Sequence, residues 1–165
     1  MQKMLRASRI LAVLLLVTVA FSGCSLFKKD AKYIKTVVDG DSMKPTLISG
    51  QQIRVQKTKI VTYGDIIIFE FQKDVYHVKR VIAAPGDAIR FQYAGGKYDV
   101  YLNDELLEED YTLNGTPYWY SEKPKELTVG YNEYFVMGDN RAESNDSRHN
   151  GCINKSQIFG KVVGI

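Results

Sequence analysis

The chain has 165 residues, 22 Lys and Arg against 19 Asp and Glu, and only two cysteines, which suits one domain of ordinary size with a sizeable core. Its net charge of +3 is unevenly placed, with +6 on residues 1–35 and −3 on residues 36–165. The mildly acidic body has no basic stripe for a nucleic acid, and no Cys/His cluster has metal-ligand spacing, so no zinc or iron site is expected.

The first element in chain order is apolar. Ile10 to Phe27 is a run of 18 uncharged residues preceded by Lys3, Arg6 and Arg9. As a helix it reaches ~27 Å, just short of a ~30 Å hydrocarbon core. Residues 1–27 therefore read in two ways. One is an uncleaved anchor whose basic flank stays in the cytoplasm. The other is a signal segment with a short apolar stretch and small residues after it. In that second reading Phe21-Ser22-Gly23-Cys24 resembles the lipobox of bacterial lipoproteins, which makes Cys24 a lipidation candidate, although Phe21 replaces the usual leucine. Both readings tether the rest of the chain to the outer face of a lipid bilayer. Cys152 then has no disulfide partner in the body, and beside Gly151 it reads as a small filler.

Residues 28–35 read as a charged juxtamembrane linker, and residues 36–165 as a β domain. Strands are expected at Gln52–Val55, Ile66–Phe71, Val75–Ala83, Ala88–Tyr93, Val100–Leu102, Tyr134–Met137 and Ile158–Val163. These runs are rich in Val, Ile, Phe and Tyr and are bounded by Gly, Asp, Asn and Pro. Tyr98 to Leu107 reads as a hairpin turning at Asn103-Asp104, and Asp110 to Lys125 as the most loop-like stretch. No 3.6-residue apolar stripe stands out beyond the N-terminus, so the expected fold is mainly antiparallel β.

Three polar segments fall on turns or strand ends: Ser42-Met43-Lys44-Pro45-Thr46, Lys79 to Asp87, and Gly138 to Arg148. The first offers a serine, Ser42, that follows Gly40-Asp41 and precedes Pro45, which holds the residue before it extended. Taken alone, such a serine is ordinary turn chemistry. A hydroxyl becomes a nucleophile only when a base takes its proton. His77 and His149 leave a Ser–His–Asp arrangement formally open, but His149 reads as a solvated surface residue and His77 as a cleft or packed residue. Lys79 interrupts a run of Val75, Val78, Val81 and Ile82 that suits a core strand. An ordinary lysine, pKa ~10.4, must lose roughly 3 units to serve near neutral pH, and apolar burial does this.

In residues, order and spacing the three segments are similar to the bacterial type I signal peptidases, membrane-bound proteases with a Ser–Lys dyad. The resemblance covers roughly residues 35–165 and implies a fold of coiled antiparallel β-sheets, preceded by one hydrophobic helix. It implies Ser42 as nucleophile and Lys79 as general base, with no cofactor. Ser144 would bond the lysine amine, Asp146 and Arg148 would pair near the site, and Asp139 would pair with Arg80. The chain looks like the minimal form of the family, because larger members carry an extra domain where Asp110–Lys125 stands. Many members have a hydroxyl residue two positions before the nucleophile to assist the oxyanion. This chain has Gly40 there, as in members of Gram-positive type.

The implied substrates are the signal peptides of exported preproteins, cut after small-x-small sites. An extended peptide would add to strand edges at Thr36–Asp39 and Val75–Val78, with Val38, Met43, Leu47, His77 and Val78 around its side chains. Two other readings remain. Repressor-type proteases share the dyad but carry a DNA-binding domain where this chain has its apolar run. A non-catalytic membrane lipoprotein that binds exported peptides would need no dyad, yet none of its residues is missing.

Overall fold

The computed structural model describes residues 33–117 and 125–164. The apolar N-terminal run, Cys24 and the middle of the Asp110–Lys125 stretch lie outside the described residues. Among the described residues, no helix is long and apolar enough to cross a membrane.

Eleven strands follow one another among the described residues: β1 Tyr33–Val37, β2 Gln52–Gln56, β3 Ile66–Gln72, β4 Val75–Ala83, β5 Ala88–Ala94, β6 Lys97–Leu102, β7 Glu105–Leu106, β8 Glu126–Thr128, β9 Glu133–Met137, β10 Ile153–Asn154 and β11 Ile158–Gly164. A single helical turn, α1, spans Ser147–Asn150 and is capped by Asp146, whose side chain accepts from the Arg148 N–H. Seven strands form one sheet in the order β1-β2-β11-β3-β4-β9-β10, and four form a second in the order β7-β6-β5-β8. The named pairs in both sheets are antiparallel. The architecture is mainly β, as the strand-rich pattern implies.

Turn chemistry sets the hairpins. Asn103 and Asp104 both have positive φ, 52° and 68°, as a two-residue turn between β6 and β7 requires. Gly95 and Gly96 do the same between β5 and β6. The linker expected over 28–35 ends earlier than that, because Tyr33, Ile34 and Lys35 pair with Gln56, Val55 and Arg54. The alternation of that segment is that of an edge strand with one face half-buried, and the density of lysines there masks it.

Three apolar clusters position the site. Val38, Met43, Leu47, Ile53, Val55 and Ile66 pack beneath the turn that holds Ser42. Ile67, Phe69, Val81, Val136 and Ile158 form a second cluster. Ile82, Ile89, Phe91, Val100, Phe135 and Met137 form a third, with residues from both sheets. Consecutive Ile66 and Ile67 fall in different clusters because neighbours on a strand face opposite sides.

Candidate active site

Strand β4 is paired unevenly. β3 runs along it from Val75 to Arg80, whereas β9 pairs only with Arg80, Val81 and Ala83. The Val75–Lys79 half thus has one open edge. Among the described residues β1 pairs only with β2 and offers another. Between these segments lies a cleft of about 630 Å³, whose lining includes Val38, Ser42, His77, Val78, Lys79 and Glu143.

Lys79 has Ile67, a fully buried residue, as its cross-strand neighbour. It is itself 4% exposed. Its Nζ donates to Ser42 Oγ at 2.8 Å and to the Val78 carbonyl at 2.9 Å. Burial pulls the lysine from its ordinary 10.5 down to about 8; Asp146 opposes the shift, Arg148 adds to it and Asp139 opposes it. A hydroxyl and an amine with a depressed pKa at hydrogen-bond distance are the two parts a nucleophile and its base need.

The Ser42 turn is held from behind. Its carbonyl accepts from the Asn140 N–H at 3.1 Å, and Asn140 Nδ2 donates to the Asp41 carbonyl at 3.2 Å. Met43 and Leu47 anchor the turn from below at 1% and 0% exposure. This corrects the expectation that those two wall the substrate pocket. Their apolar side chains gain more by joining the cluster with Ile53 and Val55, which leaves Val38, His77 and Val78 on the cleft. His77 stacks on Phe71 with ring centroids 4.5 Å apart, and burial, then Lys79, holds its pKa below the ordinary value.

Two ion pairs flank the dyad. Arg80 grips Asp139 with two bonds, Nε to Oδ1 at 2.9 Å and Nη2 to Oδ2 at 2.6 Å. Thr46 Oγ1 adds a bond to the same carboxylate at 2.5 Å. Arg148 grips Asp146 with two bonds of 2.9 Å, and both side chains are completely buried. Asp146 also accepts from the Gly138 N–H at 3.0 Å. Burial works to raise the Asp146 carboxyl, and the Arg148 guanidinium overcomes it, so it sits below the usual carboxylate range.

Ser144 is buried at 4% exposure in the same loop. Its hydroxyl is not bonded to Lys79, contrary to the role the resemblance implies; the amine is directed to Ser42 and Val78 instead. Ser144 packs closely on Gly138, where an added Cβ would meet Ser144 Oγ on one side and the Ser42 carbonyl on another. His149 is half-buried on α1 rather than solvated, and burial lowers its pKa. Cys152 packs against the cluster of Ile82, Phe91 and Phe135. Among the described residues, no group of three or more His, Cys, Asp or Glu could hold a metal ion.

Sequence reasoning missed several partners. Arg141 lies in the Gly138–Arg148 segment, but its carboxylate partner, Glu109, is 32 residues away. Thr46, in the Ser42–Thr46 segment, is 93 residues from the Asp139 it bonds. Fully buried Arg141 is the kind of charge that must be paired, but only the tertiary structure shows that it is buried.

The family model for signal peptidase, peptidase S26, matches residues 6–165. Signal peptidase IB of Staphylococcus aureus (strain N315) is 36% identical over 151 residues, covering 79% of this chain and 77% of that protein. Signal peptidase I of Bacillus caldolyticus is 38% identical over 143 residues, covering 76% and 75%. A crystal structure of a signal peptidase I from Enterococcus faecalis V583 matches at a TM-score of 0.49 and 26% identity, over 63% of this chain and 97% of that one.

Proposed function

The chain belongs to the signal peptidase family, peptidase S26, and we propose that Ser42 and Lys79 carry its chemistry. It is a serine endopeptidase that removes signal peptides from preproteins. The observation that supports the dyad most is the 2.8 Å approach of Lys79 Nζ to Ser42 Oγ on an open cleft.

A preprotein segment enters extended and pairs with the open edges of β1 and the first half of β4, so that backbone bonds supply affinity. Small side chains at alternate positions fit beside Val38, His77 and Val78. Neutral Lys79 accepts the Ser42 proton as Oγ attacks the scissile carbonyl. The protonated lysine then gives that proton to the leaving amine, and an acyl-enzyme remains on Ser42. A water loses a proton to Lys79 and attacks the ester; Lys79 returns that proton to Ser42 Oγ as the ester bond breaks, which releases the signal peptide with its new carboxylate and restores the dyad. The developing oxyanion falls to the Ser42 backbone N–H, because Gly40 brings no hydroxyl. Residues 1–27 tether the domain to the bacterial membrane with the cleft on the extracytoplasmic side, either as an anchor or through a lipidated Cys24. Residues 36–165 form the catalytic domain. Asp146, Arg148, Asp139 and Arg80 brace the loop and turn around the dyad without reacting.

The test is cleavage of a preprotein with a small-x-small site by the full chain in detergent, with N-terminal sequencing of the product. Ser42→Ala and Lys79→Ala should each abolish cleavage after the small residue. Full activity in either variant would remove that residue from the mechanism. Peptide binding without cleavage by folded wild type would favour the non-catalytic lipoprotein.

A further inference from the structure

Residues 109–116 are bonded to the loop that carries Ser144 at four places. The Glu109 carboxylate takes two bonds from Arg141, at 2.8 Å and 2.5 Å. Thr116 Oγ1 accepts from Arg141 Nη1 at 2.7 Å. The Leu113 N–H donates to the Asp139 carbonyl at 3.1 Å. The Tyr111 ring lies under the Arg80 guanidinium, 4.0 Å from its centroid, and its hydroxyl donates to Glu109 at 2.9 Å. The far end of this strap is fixed to β6, where the Tyr98 N–H donates to the Thr116 carbonyl at 2.7 Å.

Arg141 is 0% exposed and Thr116 1%. A buried ion pair adds little net stability compared with apolar packing, but its two parallel bonds fix direction. Here the direction leads to the dyad. Arg141 Nε donates to the Gly138 carbonyl at 3.0 Å. Gly138 is the residue whose Cα has Ser42 on one side and Ser144 on another, and its N–H is held by Asp146. An error in where Arg141 sits becomes an error in where Gly138 sits, and then in the Ser42 turn. Glu109 is absent from the cleft lining, so its influence runs through Arg141.

We propose that Glu109 is a positioning residue for peptide-bond cleavage: by clamping Arg141 it fixes Gly138, and through Gly138 the Ser42 turn. The proposal rests on the reading of Ser42 and Lys79 given above.

The experiment compares wild type, Glu109→Gln, Thr116→Val and Ser42→Ala as full chains in detergent. Assays run at a temperature where circular dichroism shows each variant folded. Glu105→Gln, an exposed carboxylate on β7, controls for the change in charge. Glu109→Gln should lower kcat roughly 10- to 100-fold, in the range expected of ångström-scale misplacement, with KM nearly unchanged. The acid limb of its rate profile should move to higher pH as the loosened loop admits water to Lys79. Thr116→Val should show the same split more weakly, and decides the matter if Glu109→Gln does not fold. Wild-type kcat and an unmoved limb in the folded variants would overturn the proposal, even if their melting temperatures fall. Activity surviving in Ser42→Ala would instead overturn the dyad reading, so the two failures are distinct.

Discussion

Lys79→Met tests the depressed base through folding stability rather than through activity. The folded-state pKa lies at about 8 against an ordinary 10.5. At about 1.4 kcal/mol per unit, the buried charge costs the native state about 3 kcal/mol at neutral pH. The sign follows from proton counting. Between about pH 8 and pH 10.5 the unfolded chain holds the lysine proton and the folded chain does not, so wild-type stability rises with pH across that window. Below pH 8 the cost is present in full, and above pH 10.5 it has gone. Methionine has similar length and no titration, but it loses the bonds to Ser42 and Val78, each worth about 1 kcal/mol net. Lys79→Met should therefore be more stable than wild type at pH 7 by about 1 kcal/mol. It should be less stable at pH 10.5 by about 2 kcal/mol, a swing of about 3 kcal/mol. Urea unfolding of the full chain in detergent, followed by circular dichroism from pH 7 to 10.5, measures the difference, in which all other titrations cancel. Two curves that run parallel, with a swing under about 1 kcal/mol, would refute the claim that burial holds this lysine down.

The same lysine sets the pH dependence of cleavage. Because the base must be neutral, kcat/KM should rise with pH, level off above about 8 and stand near a tenth of its plateau at pH 7; a flat profile from pH 6.5 to 9 would exclude Lys79 as the base. Gly138→Ala should cut cleavage by roughly 100-fold or more, since its Cβ presses on Ser144 Oγ and the Ser42 carbonyl. Initial rates on a folded variant check this, and near-wild-type cleavage would mean the close approach at Gly138 is not needed.

How much of this was legible depends on range. The seven expected strands all exist, each within a few residues of its expected bounds, because β-branched and aromatic runs between turn residues carry a local signal. β8 and β10, three and two residues long, have too few residues to show a period. β1 was hidden by Lys35 on its exposed face and by Lys28, Lys29 and Lys32 just before it. At the site, the segments that hold Ser42 and Lys79 could be read because their residues and spacing are fixed. The fate of Met43 and Leu47 could not, since an apolar residue beside a nucleophile looks the same whether it lines a pocket or roofs a core. Glu109 was invisible for a different reason. A carboxylate in the run Glu108-Glu109-Asp110 looks solvated until Arg141 is seen buried against it.

The arrangement also explains why burial prevails at Lys79 in a neighbourhood full of charge. An isolated Asp beside a lysine raises its pKa and makes it a worse base. Here each nearby carboxylate is already committed: Asp146 to Arg148, and Asp139 to Arg80 and Thr46. Asp146 and Arg148 act on Lys79 in opposite directions, so their fields partly cancel, while Asp139 adds a smaller pull towards the charged form. What remains is the desolvation imposed by the apolar strand around it. The ion pairs thus supply rigidity close to the dyad and favour the charged lysine too weakly to offset its burial. Apolar residues in their place would keep the lysine neutral but lose the directed bond from the Gly138 N–H to Asp146. A single unpaired carboxylate would keep a bond to Gly138 and lose the base. Paired, doubly bonded arginines and aspartates meet both requirements, at the cost of burying charge that contributes little to stability.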